Sequence, residues 1–220
     1  MDSIYAGFIS GISQTIIGHP LDTIKTWSQN SIELKKPPMN IKNLYKGISY
    51  PLIQNPLLIS TSFFSNHYIK EKTDNVYLSS SITGILSGII STPIDKYKIM
   101  RQQKLEYKLS IRNFIRSYKN MPIMMMREIP ANFIYYSSFD HMKKNDIPVF
   151  FGGGIAGILS WTLTYPLDTI KSRLQSNSCS TIKEAFMKKK LFNGLMPCVQ
   201  RAFIVNSFGF YIYEKFLYNK

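Results

Sequence analysis

Residues 47–69, 75–94 and 147–167 hold no Asp, Glu, Lys or Arg. Each stretch is about long enough to cross a hydrocarbon core of roughly 30 Å as a helix. Basic residues gather between such runs, at 98–119 and at 183–190. The pattern predicts long apolar helices separated by basic links. Glycines four apart recur in the first helix of each expected pair: Gly7 and Gly11, Gly84 and Gly88, Gly153 and Gly157. That spacing puts both on one helix face and lets a second helix approach closely.

A longer pattern, Pro-x-Asp-x-x-Lys-x-x-x-Gln, is set on these helices three times. It comprises Pro20, Asp22, Lys25 and Gln29, then Pro93, Asp95, Lys98 and Gln102, then Pro166, Asp168, Lys171 and Gln175. The second start lies midway between the first and the third, so the interval is constant. At a background of roughly 5% per residue, eight matched recurrences have a chance probability on the order of 10⁻¹¹. The chain therefore reads as three units, 1–73, 74–146 and 147–220. Second helices are expected after Tyr45-Lys46-Gly47, Tyr118-Lys119-Asn120 and Phe192-Asn193-Gly194. These triplets keep the same interval, lengthened by a single insertion in the last link. Proline late in each apolar run removes a backbone hydrogen bond and kinks the helix, which would draw three symmetric helices toward a common axis.

Asp and Lys three apart share a helix face. Repeated three times around an axis, each Lys can instead reach the Asp of the next unit. Lys25 would pair with Asp95, Lys98 with Asp168, and Lys171 with Asp22, and the ring would seal one end of a central passage. Partly solvated ion pairs cost little to break, so such a ring can open. Gln29, Gln102 and Gln175 are placed to brace it. At one matching position in the second helices come Gln54, Arg127 (followed by Glu128) and Arg201. Arginine deep in an apolar stretch costs about 2.5–3.5 kcal/mol on insertion scales. It is expected to face a watery cavity and bind something, or to pair with a nearby acid such as Glu128. At the far end of the second helices, Lys70 could meet Asp140 and Lys143 could meet Glu214. The third position would set His67 against Leu217, which is no ion pair.

The formal net charge of +14 points to an anionic partner, and the mean hydropathy of −0.08 averages over segregated segments. A basic helical nucleic-acid-binding protein is the rival class, and a scaffold whose passage no longer works is another. Cys179 and Cys198 do not make a disulfide framework. The segment 3–17 lacks the basic n-region and small-residue site of a cleavable signal. No phosphate-binding loop, zinc spacing or activated nucleophile stands out, so no enzyme activity, cofactor or metal is expected.

The three Pro-x-Asp-x-x-Lys motifs resemble the signature of the mitochondrial carrier family, over almost the whole chain. The resemblance implies an all-α membrane protein. Six transmembrane helices would form three pseudo-threefold-related two-helix repeats around a central cavity. It also implies alternating access at the mitochondrial inner membrane, usually as solute exchange, by a monomer that contacts membrane lipids such as cardiolipin and no nucleic acid. Asp22, Asp95 and Asp168 with Lys25, Lys98 and Lys171 would form the matrix gate, braced by Gln29, Gln102 and Gln175. Lys70, Asp140, Lys143 and Glu214 would form the cytoplasmic gate, and Gln54, Arg127, Glu128 and Arg201 the substrate contacts. An Arg followed by an acid there is similar to carriers of amino acids, carnitine and S-adenosylmethionine, since Arg clamps a carboxylate while Glu meets a cationic group. Nucleotides or deoxynucleotides are the alternative cargo, in keeping with the basic balance. The Lys-, Ile-, Asn- and Tyr-heavy composition suggests an AT-rich genome, so the mitochondrion would be the host's if the source is a virus or parasite. Departures from the family pattern are the short chain, the acidic-Gly pair missing from the first unit, and the incomplete cytoplasmic ring, which predicts an outward gate that closes weakly.

Overall fold

A computed structural model describes residues 2–30, 40–45, 48–102, 111–118, 121–175, 181–187, 191–192 and 195–218, with side chains described except at 24–30, 50, 95–102, 113, 116, 172, 173 and 175. Among the described residues the protein is all-helical. Six helices are long: α1 (Asp2–Asn30), α3 (Ser49–Thr73), α4 (Val76–Gln102), α6 (Met121–Lys144), α7 (Val149–Gln175) and α9 (Leu195–Tyr218). Three are short and lie in the links: α2 (Ile41–Leu44), α5 (Ile111–Ser117) and α8 (Ile182–Met187). The long helices pack in the cyclic order α1, α3, α4, α6, α7, α9 and back to α1, so they close on themselves around an axis. The second helices start where the triplets predict. α1, α4 and α7 run on through Pro20, Pro93 and Pro166.

The glycines let the paired helices touch at backbone distance. A Cβ on Gly11 would stand 2.5 Å from Pro56 Cα, and one on Gly84 would stand 2.7 Å from Ile129 Cα. The second contact is the first carried forward by one repeat, in both of its partners. Gly157 differs, since it faces the side-chain amide of Asn206 of α9 and not a backbone. The links repeat their anchoring too. Thr23 Oγ1 donates to Leu44 O at 2.8 Å, and Thr169 Oγ1 donates to Leu191 O at 2.7 Å. His19 stacks on Tyr45, and Tyr165 stacks on Phe192. The tight junctions at the opposite end rest on Asp74 and Asp146, both at positive φ, a conformation that aspartate tolerates better than most residues.

The charge-free stretches do not amount to apolar spans: among the described residues no helix is long and apolar enough to cross a membrane. Length alone is not the shortfall, since helices of 24–29 residues rise about 36–44 Å. Hydroxyl side chains lower the hydropathy, and most bond back within their own helix. In α4, Ser80 donates to Val76 O, Ser81 to Tyr77 O and Thr92 to Gly88 O. A hydroxyl satisfied this way exposes little polarity to its surroundings.

Candidate functional site

A cavity of about 280 Å³ opens inside the ring, walled by α1, α3, α6, α7 and α9. Arg127 and Glu128 line it, together with Ser62, Asn132, Tyr135 and Trp161. Arg127 Nη1 donates to Glu128 Oε1, and Arg127 Nε lies 3.5 Å from Asp168 Oδ1. Its guanidinium also stands 5.5 Å from the Trp161 ring centre, within cation–π range. Arg127 thus lines the cavity and at the same time pairs with its neighbouring acid. Asn132, one turn beyond Glu128, donates to Glu128 O at 2.9 Å and approaches Glu128 Oε2 at 3.4 Å.

The cavity ends against a layer of aromatic rings. Phe63 of α3, Tyr136 of α6 and Phe210 of α9 meet pairwise, edge to face, with centroids 5.8, 5.2 and 6.3 Å apart. Edge-to-face contact is the favoured aromatic geometry. Phe139 stacks on Phe210 at 3.6 Å and Tyr213 stacks on Phe63 at 4.1 Å, adding a second tier. The first three rings occupy equivalent places in the three repeats, each at the same distance beyond its triplet. Sequence reading missed this layer, although carrying the repeat interval past the arginines would have found it.

Beyond the aromatic tiers the second helices end in charge. Lys70 Nζ donates to Asp140 Oδ1, and Lys143 Nζ donates to both oxygens of Glu214 at 2.7 Å. Lys144 adds a contact to Asp140 Oδ2 at 3.1 Å. His67 turns to Glu71 of its own helix, 3.5 Å away. Leu217, opposite, packs against the aromatic cluster. The missing third pair thus has an apolar contact in its place, so the sequence-based inference of weak closure leaves out one of the forces present.

At the other end, Asp22 holds Arg201 with both carboxylate oxygens: Nε reaches Oδ1 at 2.5 Å and Nη2 reaches Oδ2 at 3.0 Å. Asp168 faces Arg127, and Lys171 is buried. Arg201 and Gln54 are not among the residues lining the cavity. For Arg201 the reason is the two-pronged grip of Asp22, which turns the guanidinium toward α1. The side chains of Lys25, Asp95, Lys98, Gln29, Gln102 and Gln175 lie outside the described residues, and with them the expected Lys25–Asp95 and Lys98–Asp168 pairs.

The short link helices also went unforeseen. For α8 the signal was present: Glu184 N donates to Thr181 Oγ1, the backbone half of a Thr-x-x-Glu capping box.

Residues 145–218 match the family model described as mitochondrial carrier protein. A mitochondrial arginine transporter of Arabidopsis thaliana is 27% identical, aligned over 95% of this chain and 88% of its own length. A mitochondrial magnesium exporter of Drosophila melanogaster is 25% identical over 91% and 88%. The human mitochondrial carnitine/acylcarnitine carrier is 25% identical over 99% and 94%. Three recurrences of one motif, six long helices closed into a ring, and relatives aligned along nearly the whole chain agree, and this chain is similar to the mitochondrial carriers.

Proposed function

We propose that the protein exchanges a small zwitterionic metabolite of the amino acid or carnitine type across the mitochondrial inner membrane. The observation that carries this reading is the central cavity with Arg127 and Glu128 side by side on its wall. A guanidinium suits a carboxylate, and a carboxylate suits a cationic group, so one ligand can satisfy both. Size points the same way: a cavity of about 280 Å³ is at the small end of ordinary ligand pockets, which favours a small metabolite over a nucleotide. A bare magnesium ion fits poorly, because Glu128 is the one carboxylate lining the cavity among the described residues, and a hard divalent cation wants several oxygens.

In this reading the six long helices span the membrane as three two-helix repeats, 1–73, 74–146 and 147–220. Hydroxyls satisfied within their helices and a polar interior lower the hydropathy of segments that still face lipid. Lys70, Asp140, Lys143 and Glu214 with the aromatic tiers form the cytoplasmic gate. Asp22, Asp95, Asp168, Lys25, Lys98 and Lys171, with Gln29, Gln102 and Gln175, form the matrix gate. Arg127 and Glu128 are the primary substrate contacts. Arg201 acts through Asp22 at the matrix gate, and Gln54 contributes at most from outside the cavity wall. The protein works as a monomer among membrane lipids, without nucleic acid and without catalysing a reaction.

Uptake into proteoliposomes preloaded with arginine, ornithine, carnitine, S-adenosylmethionine or deoxynucleotides tests the proposal. Exchange of a substrate from the first three, lost in Arg127→Ala, is expected. Uptake of deoxynucleotides alone, or uptake that survives Arg127→Ala, would overturn it.

A further inference from the structure

Above Glu128 a line of hydrogen bonds leaves α6, crosses to α3 and returns. Ser62 Oγ donates to Asn132 Oδ1 at 3.3 Å, and Ser62 Oγ and the Tyr136 hydroxyl are 2.8 Å apart. A hydroxyl has one hydrogen. With Ser62 donating to Asn132, Tyr136 donates to Ser62, and the line runs Tyr136 to Ser62, Ser62 to Asn132, and Asn132 Nδ2 to Glu128. One acceptor on this wall keeps unused capacity. Asn132 Oδ1 has a second lone pair. Among the described residues, Glu128 Oε2 is engaged by the 3.4 Å approach of Asn132, while Oε1 holds Arg127. Residues 128 and 132 are four apart on α6 and share its cavity face.

We infer that Asn132, set in place by Ser62, is a specificity-determining residue that reads N–H donors on the cationic end of the substrate, with Glu128 supplying the countercharge. The ligand class is a zwitterion with a primary ammonium or guanidinium head. A quaternary ammonium has no N–H, gains nothing from Asn132 Oδ1, and depends instead on Glu128 and the aromatic faces of Tyr135 and Trp161. The inference rests on the carrier reading of this cavity and narrows it. It also joins recognition to closure. Tyr136 belongs both to this line and to the edge-to-face triad, so a head group that draws on Asn132 pulls at the ring that seals the cavity.

The test is transport kinetics of the purified full-length protein and its Asn132→Leu variant in proteoliposomes, with arginine, ornithine and carnitine as the probes. Leucine nearly matches asparagine in shape and has no acceptor. The expected result is a KM at least tenfold higher for arginine or ornithine, a change under twofold for carnitine, and kcat preserved. Asn132→Gln, which keeps both the acceptor and the amide donor, should retain much of the affinity, and Ser62→Ala should shift KM in the same direction by less. Equal losses for all three probes would mean a structural role and overturn the inference. So would unchanged kinetics, or a wild type that carries carnitine alone. A wild type that carries none of the three would overturn the substrate reading itself, and this inference with it.

Discussion

Replacing Phe210 by alanine removes the residue on which the aromatic layer converges. Its side chain is 2% exposed, stacked on Phe139 and set edge to face against Phe63 and Tyr136. Truncating a buried Phe to Ala costs about 3–5 kcal/mol, and each well-placed ring pair accounts for roughly 0.5–1.5 of it. An alternating-access cycle must separate α3, α6 and α9 at this level. Most of the loss should then fall on the closed state alone. A bias of about 3 kcal/mol is roughly a hundredfold shift toward opening. The assay is efflux of a preloaded substrate from proteoliposomes without counter-substrate outside, run beside thermal unfolding of the purified protein. Phe210→Ala should raise unpaired efflux severalfold or more and lower the melting temperature. Phe210→Leu keeps most of the bulk and should do little of either. If Phe210→Ala unfolds earlier but efflux stays at the wild-type level, the layer is only core and its role in sealing the passage is refuted.

Two further outcomes are expected. Gly11→Ala should destabilise by about 1–3 kcal/mol, because its Cβ meets the backbone at Pro56 Cα and no rotamer relieves the contact. Gly88→Ala meets the flexible Met125 sulfur instead and should cost less, and thermal unfolding ranks the two. Arg201→Ala should alter the exchange rate while leaving KM within about threefold, since Arg201 grips Asp22 outside the cavity. The side chains are 27% and 44% exposed, so the pair contributes only about 1 kcal/mol. A large rise in KM with the rate unchanged would return Arg201 to the substrate contacts.

Most of the helical order was legible because one repeat interval governs it. A match at Pro20 and Pro93 carries over to Gly11 and Gly84, and to the starts of α3 and α6. Lys70 with Asp140 and Lys143 with Glu214 followed from the same arithmetic, applied to charges that have few other partners at a helix end. The arginines were harder. Whether a guanidinium such as that of Arg201 turns to the cavity or to Asp22 depends on side-chain reach between two helices, and linear spacing is silent on it. The aromatic layer escaped for another reason. Phe, Tyr and Phe share size but not identity, so a search for identical residues at a fixed interval passes over Phe63, Tyr136 and Phe210.

The uneven ring at the ends of the second helices holds its boundaries by different forces. Lys70–Asp140 ties α3 to α6, and Lys143–Glu214 ties α6 to α9, so α6 is fastened on both sides. Between α9 and α3 there is Leu217 on rings, and Tyr213 lying flat on Phe63. That boundary depends on contact area, which falls off within a fraction of an ångström of parting, whereas the ionic boundaries weaken gradually with distance and with salt. The mouth is therefore built like a purse with one clasped hinge and one lip. Raising ionic strength loosens the hinge, while the lip answers to temperature and to the fit of two rings.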